Sequence, residues 1–325
     1  MPRAVICHAL ESLDGLSLQE TPRAPVGPGQ VRVEIHAAGI NFPDLLMTTG
    51  GYQFKPETPY VPGMEAAGVV SETGPGVTRF KVGDRVMMGG KTGAFAEEAV
   101  TAETQLEPLP DALSFAEGAC FRVAYLTAWY ALNERAHLKA GEVLLVHGAG
   151  GGVGLAAVQI GKMMGATVIG CASSPEKLDV IRASGADHAI LYGAGPFKDE
   201  VKRLTGGKGA DVVFDPIGGE IFEQSLRCMN WGCRLLIIGF TGGVGKAATN
   251  LVLIKGASVL GVRAGESAKH DPASGQRSKA ALAELAASGR LKPHISHIVP
   301  LERWREAFEL IRDRKAIGRV VIQTR

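Results

Sequence analysis

The chain has 325 residues, of which 46% are hydrophobic and 21% charged, ordinary values for globular proteins that argue against disordered and fibrous classes. This length exceeds what a single core usually accommodates, so we expect two domains. The net charge of +2 is scattered along the chain without a massed basic run, and the sequence therefore predicts no binding to nucleic acid or to a membrane surface.

The cysteines and the start of the chain bear on its compartment. Five cysteines, an odd number with no CxxC pair, are typical of reduced thiols in a reducing environment. Met1 is followed almost at once by a strand-like segment over 4–8, and no apolar run reaches the eighteen residues of a membrane span. These features predict a cytoplasmic protein.

The first third of the chain has an all-β pattern. From Ala4 to about Leu109, short apolar blocks are separated by proline and glycine. One short helix is predicted over 42–48, where Asn41 can serve as N-cap and Pro43 lies in the first turn. At about Pro110 the pattern becomes helical.

From near Val123 onward, strands alternate with helices, which predicts a doubly wound parallel sheet. The six predicted strands cover residues 143–147, 167–171, 188–191, 211–215, 233–239 and 258–262. Beyond them we expect a polar loop over 266–278, helices over 279–288 and 301–312, and a last strand over 318–322. This tail is too small to fold alone and is expected to return to the first domain. The predicted domains are therefore 1–122 with 263–325, and an inserted domain over 123–262.

A glycine cluster follows the strand predicted over 143–147 and opens a helical segment. Its spacing satisfies G-x-x-G-x-x-G from Gly148 to Gly154, and G-x-G-x-G from Gly150 to Gly154. In a strand–turn–helix context this pattern indicates a dinucleotide site, because glycines let the backbone approach a diphosphate and the helix N-terminus attracts its charge. The residues predicted to bind it are Gly148, Gly151, Gly152, Val153 and Gly154.

The end of the second predicted strand indicates which dinucleotide binds. An NAD site usually presents Asp or Glu about twenty residues after the glycines. This chain has Ser173 and Ser174 there, followed by Lys177, groups that can donate to a 2′-phosphate. The pattern favours NADPH. Ser174 is also explained as a helix cap, and the Glu176 carboxylate would repel a 2′-phosphate unless it points away from it.

Several segments together resemble the medium-chain dehydrogenase/reductase superfamily, in its zinc-free quinone oxidoreductase (zeta-crystallin-like) branch. They are AGINFPD at 38–44, GGY at 50–52, PGMEAAGVV at 62–70, VGDRV at 82–86 and the glycine cluster. The resemblance covers essentially the whole chain. It implies an α/β protein with a GroES-like catalytic domain, an inserted Rossmann domain, a cleft between them, and a homodimer.

The resemblance also predicts that no metal is bound. Zinc-dependent relatives place a cysteine and a histidine where this chain has Asn41 and Met64, neither of which replaces those ligands. The cysteine lobe of their structural zinc is missing, and His294 and His297 lack a third ligand nearby. Without zinc to polarise an alcohol, we expect hydride transfer to a quinone or another conjugated carbonyl compound.

Further site residues come from the resemblance alone. Tyr52, Asn41 and Asp44 would lie near the reacting groups, with Tyr52 orienting the acceptor or supplying a proton. Each has a structural alternative: a packed aromatic ring, a helix cap and a first-turn carboxylate. Tyr192 and Arg314 would flank the 2′-phosphate, the first by its hydroxyl and stacking and the second by charge-assisted hydrogen bonds. The other expected cofactor contacts are Asn41, Thr127, Phe240 and Arg263.

The sequence thus predicts a zinc-independent, NADPH-dependent oxidoreductase that reduces a quinone or a similar conjugated acceptor. One alternative is reduction of an enal or enoyl thioester, with Tyr52 protonating the α-carbon. Another is a protein that binds NADPH without useful turnover, such as a redox-sensing, crystallin-like or RNA-binding relative.

Overall fold

The structure is a computed structural model that describes all residues from 1 to 325. The chain forms two compact units, one comprising residues 1–123 and 286–325 and the other residues 124–285. We call the first the β-rich unit and the second the Rossmann unit. The first change of unit lies one residue from the predicted position. The second lies at 285/286 rather than at 262/263.

The strands and helices are numbered in chain order. The strands are β1 Arg3–Cys7, β2 Leu16–Glu20, β3 Gln30–Ile40, β4 Glu65–Thr73, β5 Arg85–Gly89, β6 Glu98–Ala102, β7 Leu106–Pro108, β8 Val143–Val146, β9 Thr167–Ala172, β10 His188–Leu191, β11 Ala210–Asp215, β12 Met229–Ile237, β13 Ser258–Gly261, β14 Ile295–Pro300 and β15 Arg319–Gln323. The helices are α1 Phe42–Thr48, α2 Phe115–Gly118, α3 Arg122–Trp129, α4 Gly152–Met163, α5 Pro175–Ala183, α6 Phe197–Leu204, α7 Gly219–Ser225, α8 Thr249–Ile254, α9 Ala264–His270, α10 Pro272–Ala287 and α11 Trp304–Arg312.

The β-rich unit is built on a seven-stranded sheet in the order β14-β15-β3-β4-β5-β7, with β6 also paired to β3. The C-terminal strand β15 runs antiparallel to β3, with Val320 opposite Ile40. The tail of the chain therefore returns to the N-terminal sheet, as predicted. Alternating side chains of β3, such as Val33 and Ile35, are fully buried in the core of this unit.

The Rossmann unit contains a six-stranded parallel sheet in the order β10-β9-β8-β11-β12-β13. All six predicted strands are present, and the order confirms the doubly wound fold. From β8 the chain adds β9 and β10 on one side and then crosses back to add β11, β12 and β13 on the other side. The switch point of the strand order therefore lies between the neighbouring strands β8 and β11. In such sheets ligands bind beyond the carboxyl ends of the strands at this switch point.

The polar loop predicted over 266–278 is wrong, because most of α9 and the first part of α10 occupy it. The α10 helix starts about two turns earlier than predicted, where Asp271 Oδ1 accepts a hydrogen bond from Ser274 N at 2.9 Å and Pro272 takes the first helical position. Ser274 Oγ also donates to Glu134 at 2.9 Å. These contacts tie the segment to the Rossmann unit and account for the later boundary.

No helix combines the length and the apolar character required to cross a membrane.

Candidate functional site

The glycine turn, which we define as residues 148–154, connects β8 to the first turn of α4. Gly148 has a φ of +55°, a left-handed conformation that glycine adopts without strain. A Cβ built on Gly154 would lie 2.3 Å from the carbonyl oxygen of Gly148 and 2.7 Å from Ala149 Cα. The turn therefore requires glycine at both ends of the predicted pattern.

The start of α4 is suited to an anion. Its N-cap, Gly151, makes no side-chain capping bond, and the first helical bond runs from Leu155 N to Gly151 O at 2.9 Å. The amides of the first turn, at Gly152, Val153 and Gly154, therefore point out of the helix end together with the positive pole of its dipole. This uncapped, glycine-rich cradle fits the diphosphate of a dinucleotide.

The residues after β9 form the edge of this site. Ser174 occupies the N-cap position of α5, as the alternative explanation predicted, but its side chain makes no capping hydrogen bond. Its hydroxyl instead bonds the Glu176 carboxylate and lowers the pKa of that group. The stem of Lys177 lies across Gly150, where a Cβ would come within 2.9 Å of Lys177 Cβ. The lysine stem thus lies along the glycine turn, and the Glu176 carboxylate is directed to the Ser174 hydroxyl.

His147, which the sequence analysis missed, is fully buried directly before the turn. Its Nδ1 lies 2.7 Å from the Tyr192 hydroxyl and its Nε2 lies 2.8 Å from Ser225 Oγ. Burial lowers the pKa of the imidazole to about 3, so the ring is neutral in the physiological range. Because the Tyr192 hydroxyl is bonded here, its expected contact with a 2′-phosphate does not match the geometry; stacking by its ring stays a prediction.

The remaining cofactor contacts expected from the resemblance are placed as follows. In the Rossmann unit, Thr127 is half-buried in α3, while Phe240 and Arg263 are exposed. In the β-rich unit, Arg314 is exposed and has a φ of +57° directly after α11. These four contacts stay predictions.

The β-rich unit buries a polar cluster around Asn41. The Asn41 amide accepts from Arg319 Nη1 at 2.7 Å and donates to Glu65 Oε1 at 3.0 Å, and Arg319 Nη2 pairs with the same Glu65 oxygen. Glu65 Oε2 accepts from the Val123 backbone amide at 2.9 Å. The Asn41 side chain is therefore held inside the unit by its neighbours. Glu65 and Arg319 were not predicted, although Glu65 lies in a segment that carried the resemblance.

Asp44 adjoins this cluster and has an unusual protonation equilibrium. Its Oδ2 accepts from the Asn41 backbone amide at 2.8 Å, whereas its buried Oδ1 has no hydrogen-bond partner. Burial is the largest cause that raises the pKa of this carboxyl to about 7. Asp44 is thus both the first-turn carboxylate of α1 and a group that can hold a proton at neutral pH.

Tyr52, the third predicted catalytic residue, is half-buried in the segment that follows α1. Gly50, two residues earlier, has a φ of +70° and turns the chain there. The threonines at the end of α1 are bonded to their own helix, with Thr48 Oγ1 donating to Leu45 O at 2.8 Å. The catalytic role of Tyr52 stays a prediction.

The donor groups do not fit a catalytic zinc ion. The amide oxygen of Asn41, at one of the two positions where zinc-dependent relatives place ligands, accepts from the Arg319 guanidinium. No three His, Cys, Asp and Glu side chains anywhere in residues 1–325 are grouped so as to hold a metal ion. Thioether and amide groups do not replace thiolate and imidazole as zinc ligands.

The parallel sheet, its glycine turn and the separate β-rich unit define a dinucleotide-binding protein of two units. Two family models match the chain: "Alcohol dehydrogenase GroES-like domain" over residues 27–111 and "Zinc-binding dehydrogenase" over residues 152–282. The chain is 41% identical over 331 residues to the quinone oxidoreductase-like protein 2 homolog of Nematostella vectensis, with 99% of this chain and 89% of the relative covered.

Solved structures agree with these matches. The quinone oxidoreductase of Pseudomonas syringae pv. Tomato DC3000 has a TM-score of 0.90 at 32% identity, with 100% of both chains covered. The CurK enoyl reductase has a TM-score of 0.88 at 28% identity, with 99% of both chains covered. The chain belongs to the medium-chain dehydrogenase/reductase superfamily, in its quinone oxidoreductase branch. It is an oxidoreductase of this family, whose members bind nicotinamide cofactors.

Proposed function

We propose that the protein is a zinc-independent oxidoreductase that uses NADPH to reduce a quinone or a similar conjugated acceptor. The observation that carries the proposal is the uncapped glycine turn with the Lys177 stem lying across Gly150. When bound, NADPH supplies a hydride from C4 of its nicotinamide ring. The task of the chain is to hold the diphosphate at the turn, to orient the acceptor and to supply one proton.

The preference for NADPH rests on the groups at the edge of the turn. The ammonium of Lys177 can pair with a 2′-phosphate, and Ser173 adds a hydroxyl on an exposed residue. Glu176 is the only carboxylate in this short segment, and it already accepts a hydrogen bond from Ser174. Its negative charge is therefore partly compensated by a neighbouring donor, which weakens its repulsion of a phosphate.

The choice of acceptor rests on the β-rich unit. Since its donor groups do not fit zinc, the acceptor must take hydride without a Lewis acid, as quinones do. Tyr52 is the group that we assign to the acceptor oxygen, which needs one proton for each hydride. Asp44, with a pKa of about 7, is a carboxyl of this unit that can store a proton at neutral pH.

Reduction of an enoyl thioester is a second candidate, favoured by the likeness to the CurK enoyl reductase. In that reaction hydride reaches the β-carbon, and Tyr52 would give its proton to the α-carbon. Rates of NADPH and NADH oxidation with 1,4-benzoquinone, 9,10-phenanthrenequinone, an alkenal and crotonyl-CoA separate the two. We expect the quinones to be preferred, with NADPH as donor. A preference for crotonyl-CoA would contradict the proposed acceptor, and binding without any turnover would contradict the enzyme.

We also propose that the protein forms a homodimer, because the Rossmann sheet ends in an uncovered edge. Strand β13 pairs only with β12. Three large apolar side chains of this unit are strongly exposed: Trp231 at 74%, Leu253 at 79% and Ile254 at 62%. An exposed strand edge beside apolar side chains favours pairing with a second copy. Analytical ultracentrifugation should give twice the mass of the chain, and Leu253→Glu should shift it toward one chain.

A further inference from the structure

The buried hydrogen bonds of His147 end on the glycine turn itself. The amide of Gly148 donates to the Tyr192 hydroxyl at 3.4 Å, and that hydroxyl lies 2.7 Å from His147 Nδ1. We propose that His147 is a positioning residue that fixes the glycine turn for dinucleotide binding through the Tyr192 hydroxyl.

The donor and the acceptor of each hydrogen bond follow from the number of protons that each group carries. The single hydroxyl proton of Ser225 goes to the Ile221 carbonyl at 2.7 Å, since a carbonyl can only accept. Ser225 Oγ must therefore accept from Nε2–H of His147. The neutral ring then has a bare Nδ1, to which the Tyr192 hydroxyl donates, while the oxygen of that hydroxyl accepts from the Gly148 amide. Each group has one role, so the chain of bonds specifies a single tautomer.

The residues that form this chain of bonds are distant in sequence. Tyr192 follows β10 and Ser225 ends α7, which places them 45 and 78 residues from His147. The imidazole is fully buried and packs against Phe197, with ring centroids 4.9 Å apart at an angle of 71°. The turn is thereby linked to the segment after β10 and to the end of α7.

The position of Gly148 matters because the turn is tightly packed. Its carbonyl oxygen lies against Gly154, where even a Cβ would come within 2.3 Å. A displacement of Gly148 therefore disturbs the first turn of α4, whose amides form the anion cradle. The hydrogen bond from the Gly148 amide to the Tyr192 hydroxyl therefore preserves the geometry that a diphosphate requires. The inference rests on dinucleotide binding at the turn, but not on the choice of NADPH or of acceptor.

Fluorescence titration of purified variants with NADPH and with NADH tests the inference. Tyr192→Phe and His147→Phe should each weaken binding of both dinucleotides at least about tenfold, in line with the loss of a positioning contact. The double variant should bind no worse than His147→Phe, because both changes break the same link. Ser225→Ala should weaken binding through the tautomer, and Ser225→Thr, which keeps the hydroxyl, should restore it.

Leu235→Ala is the matched control, since it loosens the buried core of the same unit and leaves the hydrogen bonds of His147 intact. It should lower the melting temperature without changing dinucleotide affinity. NMR of the protein labelled with ¹⁵N-histidine should show His147 protonated at Nε2 and bare at Nδ1, and Ser225→Ala should change this signature. The NMR measurement on the unaltered chain needs no variant to fold.

Three outcomes would overturn the inference: unchanged affinity in Tyr192→Phe, an equal loss in Leu235→Ala, or a proton on Nδ1 of His147. Failure of the unaltered protein to bind either dinucleotide would instead contradict the proposed function. The two failures are therefore distinguishable.

Discussion

Both units bury polar groups beside residues that the sequence marks for function, but the cluster around Asn41 contains an ion pair, whereas the groups hydrogen-bonded to His147 are neutral. Glu65 and Arg319 form a buried ion pair, and the Asn41 side chain is hydrogen-bonded to both. Around His147, by contrast, a neutral imidazole links two hydroxyls. Buried charges are costly to leave unpaired, whereas a neutral chain of hydrogen bonds costs less to break. We therefore expect changes in the first cluster to act on stability and changes at the glycine turn to act on binding.

The largest effect should come from breaking the ion pair. Arg319→Met leaves the Glu65 carboxylate buried without its cation, which typically costs about 3–5 kcal/mol of unfolding free energy. Urea denaturation measures the loss. Arg312→Ala, which removes a half-exposed arginine of the same unit paired with Asp313, is the control and should cost less than about 1 kcal/mol. A loss below about 1 kcal/mol in Arg319→Met would show that this pair does not stabilise the unit.

The next effect should come from Asp44 and should depend on pH. Its folded-state pKa of about 7 lies above the ordinary value of 3.8, so the unfolded chain ionises first and stability falls as pH rises between these values. Asp44→Asn removes this penalty and keeps an oxygen for the Asn41 amide. Since one pKa unit corresponds to about 1.4 kcal/mol, the variant should be more stable than the parent by up to about 4 kcal/mol at pH 8.

The control for Asp44 is Asp111→Asn, which changes a fully exposed carboxylate of the same unit. Its unfolding free energy should follow the parent within about 0.5 kcal/mol at each pH. Equal stability of Asp44→Asn and the parent at pH 4 and at pH 8 would contradict the assigned protonation.

At the glycine turn, Gly154→Ala should act mainly on binding. A methyl group there meets the backbone of Gly148 and Ala149, so the turn must open. We expect dinucleotide affinity to fall about 100-fold, which corresponds to about 2.8 kcal/mol. Gly265→Ala is the matched control in the same unit, because its Cβ would meet nothing within 4 Å. Unchanged affinity in Gly154→Ala would show that the turn does not hold the diphosphate.

The smallest effect should be a loss of stability in acid that His147 causes. Its dependence on pH is opposite in sign to that of Asp44. Its folded-state pKa of about 3 lies below the ordinary value of 6.5, so the unfolded chain takes up the proton first. Stability is complete above pH 6.5 and is lost as pH falls toward 3. At pH 5 the free energy of unfolding should be about 2 kcal/mol lower than at pH 7, and His147→Phe should not show this loss. The comparison of the two units fails if parent and variant lose stability equally between pH 7 and pH 5.

The contrast between the units also explains what the sequence could predict. The glycine turn is local, because Gly148 and Gly154 and the helix that they open lie within a few residues, and their spacing between a predicted strand and a predicted helix indicates the ligand. The cluster around Asn41 joins residues 41, 65 and 319, and no local pattern links them. Sequence reasoning therefore assigned Asn41 to a helix cap or to the site and missed its buried partners.

Two other differences have local physical causes. The helix α10 was placed too late, although Asp271-Pro272 is a strong start signal, because the polar composition of the segment outweighed it. The hydroxyl of Tyr192 was assigned to a phosphate because its burial against His147, 45 residues earlier in the chain, leaves no sequence signal.

The selection of NADPH by the Rossmann unit is the central claim, and the affinities of Lys177→Ala for NADPH and NADH test it most directly. We expect the parent to bind NADPH at least tenfold more tightly than NADH, and the variant to lose this preference while NADH binding changes little. Lys208→Ala, which changes an exposed lysine of the same unit, should leave both affinities unaltered. An equal loss for NADPH and NADH in Lys177→Ala would contradict the assignment of Lys177 to the 2′-phosphate.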